Sequence, residues 1–411
     1  MNPGLIVKLR PSTPWRMGPA SGQRDQVDLI LHSDTLFSAV THAMRLLGRM
    51  EAWLDATARE ATPAVVFSSL FPFTGDVRYF VPPRTAWPPP PSAKVRWKGA
   101  RFVPQGVVEA MLQGKALNED RWSVDGESEC LVASGRVAPF RIALRSAAAV
   151  DRVTEAAALP HQHACLEFSP GSGLWCAAAF ASPAARDEWN EPVRAAFRLL
   201  ADSGFGGERS RGWGRSEAPE FREGTLPNLL LSTPAPVNGD ASQFWLLSLF
   251  SPRPEEPVDW GRGSYHVTPR TGRVESPAGS GARKKSIDMV SEGSVLISAS
   301  APVGRASDVA PEGHPHPVFQ AGFALSIRIA PPRPRAAAPE PVSAEESPEP
   351  EFPETPEIEP PETAAVPPNV PEVQPAEVPR EEPPTEEPPF TEPEPEPEPS
   401  PEAPVPEAPE P

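Results

Sequence analysis

Cysteine is scarce in this chain of 411 residues, and the three cysteines present do not form an obvious pair. Cys130, Cys165 and Cys176 lack the CxxC spacing of zinc ligands, and an odd number at irregular spacing argues against a disulfide framework. The sequence therefore argues against disulfide-stapled secreted domains and favours a reducing cytoplasm.

A long apolar run is also missing. No segment approaches the roughly 20 apolar residues that a membrane-spanning helix needs. The short apolar run near the N-terminus is interrupted by Lys8 and Arg10, which makes it too short and too charged for a signal peptide. We therefore expect a soluble, intracellular protein with no membrane partner.

Positive charge is nearly absent from the C-terminal segment. Residues 332–411 contain 28 Pro and 22 Glu, no Asp and only three Arg, which gives a net charge of −19. The whole chain has a net charge of −17, so residues 1–331 carry about +2. Acidity therefore does not exclude a nucleic-acid partner for the first 331 residues. Because the segment has few large apolar side chains to bury, we predict a disordered acidic tail over 332–411.

The apolar spacing predicts two helices. The first covers about 34–58, is capped by Ser33 or Asp34, and has a buried stripe formed by Leu36, Val40, Ala43 and Leu47. The second begins at Ser182–Pro183, ends at Gly204, and has a buried stripe formed by Trp189, Val193, Phe197 and Leu200. Pro192 lies inside it and predicts a kink or a late start.

Strands are predicted around these helices, which makes the fold class α+β. They are expected at 5–10, 29–31 and 136–146, as a hairpin over 164–180, and near 227–232, 243–250, 294–301 and 318–329. We predict two ferredoxin-like (RRM-like) domains, 1–224 and 225–331, with an irregular insertion at about 63–130 and a glycine-rich loop at 203–216.

The loop SGFGGERSRGWGRS at 203–216 is the most specific motif. Glycines let backbone N–H groups approach a phosphate, arginines add forked donors, and Trp213 offers a face for a base. A flexible linker is the alternative, but the position between a helix and a strand favours an ordered loop. Its glycine spacing does not fit a dinucleotide-binding motif.

Three further groups are candidate RNA contacts. His32 precedes the first helix and is a locally bonded histidine, an RNA contact or a catalytic base. Lys284 and Lys285 lie in a Gly/Ser-rich basic loop over 261–285, either solvated or clamping phosphates. Arg141 and Arg145 share one face of a strand, either solvated or lining an RNA groove.

These motifs resemble a known family. The G-loop is similar to that of CRISPR RAMP proteins, and LHSDTLFSAV at 31–40 looks like the opening of the first helix in subunit four of the Csm (type III-A) complex. LRSAAAVDRVT at 144–154, KKSIDMVSEGSVL at 284–296 and HPVFQAGFAL at 316–325 resemble the same subunit. The resemblance covers most of residues 1–330 in the correct order, but not the acidic tail.

The resemblance implies a subunit that binds the 5′ handle of the crRNA and contacts the large polymerase-like subunit and the first backbone RAMP subunit. We therefore expect a non-catalytic RNA-binding protein without a metal or cofactor. The predicted RNA-binding residues are His32, Ser33, Arg141, Arg145, Gly206, Gly207, Arg209, Ser210, Arg211, Gly212, Trp213, Lys284 and Lys285.

Two other functions remain open at this point. A metal-independent endoribonuclease would use His32 as a base, but it needs an acid–base partner that the sequence does not locate. A structural adaptor would turn its basic loops toward protein. The pairs His161-x-His163 and His314-x-His316 lack a third ligand of clear spacing for a metal.

The acidic tail provides a first test. We expect truncation after Pro331 to leave the melting temperature and crRNA loading unchanged, because the tail has too little apolar surface to pack on the rest of the chain. Thermal unfolding and recovery of bound crRNA measure this. A clearly lower melting temperature would mean that the tail packs on the remaining residues. Higher non-specific RNA binding at low salt would indicate that the tail competes with RNA.

Overall fold

The computed structural model describes residues 2–19, 21–87, 97–148, 150, 153, 160–232, 242–276 and 279–330, without the side chains of 275–280. The chain separates into two units, 1–340 and 341–411, and every described residue lies in the first. The predicted tail and the Asp151–Arg152 pair of the family motif lie outside the described residues.

The described part of the chain is a mixed α and β structure that consists mostly of strands. It has four helices: α1 (Ser33–Leu46), α2 (Met50–Ala56), α3 (Gln105–Leu112) and α4 (Pro183–Ser203). The strands are β1 (Pro3–Leu9), β2 (Val65–Phe67), β3 (Phe71–Thr74), β4 (Val77–Phe80), β5 (Val103–Pro104), β6 (Trp122–Val124), β7 (Leu131–Ala133), β8 (Phe140–Ala147), β9 (His161–Phe168), β10 (Ser172–Phe180), β11 (Glu220–Thr225), β12 (Ser242–Leu246), β13 (Val258–Ser264), β14 (Val267–Arg270), β15 (Arg273–Ser276), β16 (Gly279–Arg283), β17 (Ile287–Val290), β18 (Val295–Ser298), β19 (Gly304–Asp308), β20 (Phe319–Phe323) and β21 (Ser326–Ile329).

A seven-stranded antiparallel sheet forms the first layer. Its order is β11-β1-β10-β3-β4-β5, and β2 also pairs with β10. Strand β10 is buried along its whole length, since β1 covers one edge and β2 and β3 cover the other. Helices α1 and α4 connect strands of this sheet and pack against each other. Aromatic contacts such as Trp53 with Trp189 and Phe67 with Phe197 fill this core.

A second antiparallel sheet of four strands has the order β13-β18-β12-β21. Numbered by their order along the chain, the strands β21-β12-β18-β13 lie side by side as fourth, first, third and second. The strands β11-β1-β10-β2 of the first sheet have the same arrangement. Over residues 242–330 that the structure describes, no helix connects its strands. The connections instead contain two-stranded ladders, β14 with β17, β15 with β16, and β19 with β20.

The second predicted helix is confirmed. Ser182 caps it by accepting a hydrogen bond from the Ala185 N–H, Pro183 is its first residue, and Gly204 follows its end. All four residues of its predicted stripe are buried. The helix starts at Pro183 and continues through Pro192, so the late start is not found.

The first predicted helix is interrupted. It ends at Leu46, and α2 begins at Met50, because Gly48 takes a left-handed conformation with φ of 71°. Leu47 falls in this break and is 39% exposed, so it does not belong to the buried stripe. The predicted cap is also wrong, since His32 is the N-cap residue and makes no side-chain capping bond.

Several predicted strands differ from the structure. Residues 164–180 form no hairpin, because β9 pairs with β8 while β10 joins the seven-stranded sheet. Residues 29–31 contribute a single bridge at Leu31, and 227–232 form turns rather than a strand. The predicted loop 261–285 contains strands β14, β15 and β16 and the end of β13.

The predicted insertion is partly a structural component of the main sheet. Strands β2, β3 and β4 lie within 63–130 but pair in the seven-stranded sheet, and the same range contains α3. The alternating apolar face of β8 is not buried either, since Ile142 is 39% and Leu144 54% exposed. Periodicity alone cannot show that a two-stranded ladder lacks a covering layer.

Close packing of β10 gives a stability test. A Cβ atom on Gly173 would lie 2.2 Å from the Leu9 carbonyl oxygen and 2.9 Å from the Phe73 ring. We expect Gly173→Ala to lower the free energy of unfolding by about 1–3 kcal/mol or more, because the strands must move apart. Chemical denaturation measures this change.

A matched control is Gly106→Ala in α3, where an added Cβ atom has no neighbour within 4 Å. That change should leave stability unchanged or raise it by less than about 1 kcal/mol, since alanine favours helix. Wild-type stability of the Gly173 variant would contradict the packing of β1 on β10.

Candidate nucleic-acid interface

The first turn of α1 connects the two sheets through polar side chains. The Ser33 hydroxyl oxygen accepts a hydrogen bond from the Leu249 N–H (3.0 Å), and the Ser33 N–H donates to the Ser69 hydroxyl (2.8 Å). Ser33 is buried and does not line the cleft described below. The prediction that it lines a groove together with His32 is therefore wrong.

His32 lies between two carboxylates. Its Nδ1 atom is 2.8 Å from Glu292 Oε1, and its Nε2 atom is 3.2 Å from Asp28 Oδ2. The Ser69 hydroxyl also donates to Glu292. Burial by itself lowers the pKa of His32, but the charge of Glu292 and the hydrogen bond to Asp28 outweigh it and raise the pKa to about 9. His32 is therefore an imidazolium at neutral pH, and both ring nitrogens donate.

A second ion pair involves Asp34, two residues after His32. Arg270 Nε and Nη2 donate to the two oxygens of Asp34 at 2.9 Å each, and the Gln320 amide donates to the same carboxylate at 2.8 Å. Asp34 is 3% exposed. Burial favours its neutral form, but the Arg270 charge outweighs this and lowers the pKa of Asp34. Arg270 lies in the loop predicted to be either solvated or clamping phosphates, and it is instead a half-buried partner of α1.

Above these ion pairs lies an open cleft of about 710 Å³. The solvent-facing side of α1 lines it, together with residues from the glycine-rich loop, from 270–274 and from 316–319. Only Asp28 and Glu51 contribute acidic groups to its lining. The basic residues that line it are Arg16, Arg45, Arg59, Arg209, Arg270, Arg273 and Lys284.

These basic residues do not all remain available to a ligand. Arg16 donates to the carbonyl oxygens of Gln23, Arg24, Gln26 and Ala164, which makes it a structural residue. Arg59 is paired with Glu51 and Asp55, and Arg270 with Asp34. The other four basic residues of the lining are Arg45, Arg209, Arg273 and Lys284, and Arg273 also donates to the Gly281 carbonyl oxygen. Burial lowers the pKa of Lys284, and the charge of its neighbour Asp34 only partly offsets this decrease.

The glycine-rich loop is ordered, but its backbone faces the protein. The Gly207 N–H donates to the Arg16 carbonyl oxygen (2.8 Å) and the Gly214 N–H to the Pro14 carbonyl oxygen (2.9 Å). A Cβ atom on Gly214 would lie 2.1 Å from the Phe205 carbonyl oxygen, and one on Gly206 would lie 2.8 Å from that of Arg16. The glycines therefore permit close backbone packing, and Gly207 and Gly214 do not present their N–H groups to a phosphate.

The cleft brings together one part of the predicted site. Its lining includes His32, Gly206, Gly207, Arg209 and Lys284. It does not include Ser210, Arg211, Gly212, Trp213 or Lys285.

The other predicted loop residues face a different direction. Arg211 pairs with Glu208 at 3.1 Å and lies 3.5 Å from the His161 ring. Trp213 is half-buried, with its ring centroid 6.4 Å from that of His163. Arg141 and Arg145, on β8, both pair with Glu167 on β9 and lie outside the cleft.

Sequence reasoning missed Asp28, Arg45 and Glu292. Arg45 lies one turn after Thr41 on the polar side of α1, so helical periodicity could have identified it. Asp28 and Glu292 are separated by more than 260 positions in the sequence, and only the fold shows that both contact His32. Among the residues that the structure describes, no group of three His, Cys, Asp or Glu could hold a metal ion. None of the helices in this part of the chain is long and apolar enough to cross a membrane.

Solved structures contain chains with a similar fold. A chain of the crystal structure of a Csm3-Csm4 subcomplex in the type III-A CRISPR-Cas interference complex is similar, with a TM-score of 0.53 and 15% identity over 79% of this chain and 98% of that chain. A chain of a Csm1-Csm4 cassette in complex with cA4 has a TM-score of 0.48 and 17% identity, over 80% and 98% of the two chains. No curated protein matches in sequence.

The fold is thus similar to that of a chain in a type III-A CRISPR-Cas interference complex. Residues 239–329 match the family described as the CRISPR Csm4 C-terminal domain. This match confirms the predicted resemblance to subunit four of the Csm complex.

The imidazolium of His32 makes stability depend on pH. A group whose pKa is raised on folding contributes its full stabilisation below its ordinary pKa of 6.5, and loses it as the pH rises through the folded value of about 9. The relevant quantity is the difference in free energy of unfolding between the wild type and His32→Gln. We expect this difference to fall by about 3 kcal/mol as the pH rises from 6.5 to about 9. Urea unfolding at a series of pH values measures this.

The matched control is His266→Gln, since His266 is exposed. The same measurement on this variant shows how much of the pH dependence comes from replacing an exposed histidine. If the difference for His32→Gln stays constant, His32 does not carry the charge that its two carboxylate partners imply.

Proposed function

We propose that this chain is a non-catalytic RNA-binding subunit of a type III-A CRISPR complex that holds the 5′ handle of the crRNA in the cleft above α1. The observation that supports this most is the distribution of charge. Arg45, Arg209, Arg273 and Lys284 line the walls, while the buried carboxylates beneath are paired within the protein. A basic groove of this kind follows the phosphates of a single strand.

Opposite walls of the cleft come from different parts of the chain. Arg209 belongs to the glycine-rich loop, whereas Arg273 and Lys284 belong to the neighbouring β14–β17 region. Backbone hydrogen bonds join the loop to Ser12, Pro14 and Arg16 and fix its position. An RNA strand on α1 would therefore meet a guanidinium group from the loop, and a guanidinium and an ammonium group from the β14–β17 region.

The lining also contains apolar groups near one end. Pro317, Val318 and the half-buried Phe319 face the cleft, with the Arg59 guanidinium 6.0 Å from the centre of the Phe319 ring. Bases stack on aromatic and apolar surfaces of this kind. The cleft thus offers separate contacts for phosphates and for bases, as binding of a single strand requires.

The repeated strand order supports a further proposal about the fold. We infer that both sheets are ferredoxin-like, with the split βαβ order in each. The first sheet retains α1 and α4, whereas the strand connections of the second, as described over 242–330, are extended. In this arrangement α1 covers the first sheet and also contacts β20.

Partners follow from the family. The similar chain comes from a structure of a Csm3-Csm4 subcomplex. We propose that this chain contacts the corresponding backbone RAMP subunit and, as the family resemblance implies, the large polymerase-like subunit. The three cysteines are free and buried, which fits the expected reducing cytoplasm.

RNA binding in the cleft is tested by replacing basic residues that line it and basic residues next to them that do not. We expect Lys284→Ala and Arg209→Ala each to weaken binding of RNA that contains the handle, and to reduce the slope of log affinity against log salt by about 0.7 per lost phosphate contact. Titration of labelled RNA at several salt concentrations measures both quantities.

The controls are Lys285→Ala and Arg211→Ala, which lie next to these residues but outside the cleft. They should retain most of the affinity and the full salt slope. If the two pairs behave alike, the cleft is not the RNA site. If none of the four changes matters, the structural-adaptor alternative is favoured.

Catalysis is tested separately. A general base must be neutral to accept a proton, whereas His32 is held as an imidazolium by Glu292 and Asp28. We therefore expect no cleavage of repeat RNA by the purified chain, and normal crRNA length in complexes containing His32→Gln. Cut product that disappears in this variant would make the endoribonuclease the better assignment.

A further inference from the structure

An exposed aromatic pair lies outside the cleft, in the segment WGRGSY at 260–265. Trp260 and Tyr265 are each 37% exposed, and their rings meet edge to face with centroids 5.2 Å apart. Large aromatic side chains are normally covered by the core, so two together on the surface favour a binding site.

The backbone at this position bulges out of the sheet. In β13, Asp259 pairs with Ile297 and Ser264 pairs with Val295, so residues 260–263 lie opposite the single residue Leu296. Strand β13 is at the end of its sheet, but a bulge of this size interrupts the ladder that an added strand would need. The segment is therefore poorly suited to pair with a strand of a protein partner.

Arg262 lies at the centre of this bulge. Its side chain is 65% exposed, and the nearest carboxylate, that of Asp259, is 3.9 Å away and 46% exposed. Such an ion pair is weak because both groups remain hydrated. The guanidinium can therefore contact a phosphate, and the glycines at 261 and 263 leave no side chains between it and the aromatic rings.

The segment is continuous with the cleft. Arg270 is five positions after Tyr265, which spans at most about 18 Å of extended chain, and β14 forms most of this connection. Arg270 lines the cleft. A single strand that leaves the cleft past Arg270 can therefore reach Tyr265 within a few nucleotides.

We propose that the segment 260–265 is a second contact for single-stranded RNA, in which a base stacks on Trp260 or Tyr265 and a phosphate meets Arg262. The proposal rests on the proposed function, because the cleft supplies the rest of the same strand. A protein partner is the alternative, and aromatic residues with arginine also occur at protein interfaces. The interrupted strand edge and the exposed guanidinium favour RNA.

The test uses the full chain and a single-stranded oligouridine of about 16 nucleotides. We expect Trp260→Ala to weaken binding at least about five-fold, whereas Trp260→Phe should keep most of the affinity because it retains a ring. Val267→Ala is the matched control, since Val267 lies two residues after the segment and is 43% exposed but offers no ring or charge. Equal melting temperatures confirm that the variants fold.

Ultraviolet crosslinking followed by peptide mapping supplies a second measurement, in which residues 258–266 should carry RNA. Unchanged affinity of Trp260→Ala together with no crosslink in that peptide would overturn the proposal. Unchanged RNA binding with reduced recovery of other complex subunits would assign the segment to a protein partner instead. If Lys284→Ala has no effect while Trp260→Ala weakens binding, the cleft assignment fails and the second contact stands.

Discussion

The ion pairs beneath the first turn of α1 are the constraint on which the rest of the structure depends. His32 and Asp34 are two residues apart in sequence, yet their partners Glu292, Arg270 and Gln320 all come from the C-terminal part of the chain. Removing one member of a buried pair leaves the other charged and without a partner, which typically costs about 3–5 kcal/mol. These contacts therefore fix the angle between the two sheets as well as the position of α1.

The same pairing sets the electrostatic character of the cleft. Each buried carboxylate of the floor faces a cation: Glu292 contacts the His32 imidazolium, and Asp34 contacts the Arg270 guanidinium. The walls are basic, since Arg45, Arg273 and Lys284 line them. A polyanion thus meets attraction at the rim without having to desolvate an isolated charge on the floor. The separation follows from the fold, because the protein itself supplies the partners of the floor carboxylates.

Much of the architecture could be predicted from local signals. Ser182, Pro183 and Gly204 marked the bounds of α4 because capping depends on neighbouring residues. The break at Gly48 and the separation of β9 from β10 were missed, since apolar periodicity continues across both. Pairing of strands depends on the whole sheet. The turn sequence SPGSG at 169–173, which joins β9 to β10, is the same whether these two strands pair with each other or with other strands.

The site was predicted only in part, because local sequence signals identify residue types but do not show which side chains face the same cleft. Residue types identified Arg209 and Lys284, which lie in the cleft, together with Arg211 and Lys285, which do not. Composition cannot distinguish neighbouring residues that point in different directions. His32 was identified as functional or locally bonded, but its contact with Glu292 spans 260 positions and no local pattern reveals it.

The long sequence separation of these contacts has a consequence for the order of events during synthesis. The floor of the cleft is complete only after Gln320 has joined Asp34, a contact across 286 positions. Chains are made from the N-terminus, and early segments fold before late ones emerge. The nascent chain therefore has α1 and the glycine-rich loop well before it has the second wall. The proposed RNA groove is therefore complete only once nearly all of the described residues have left the ribosome.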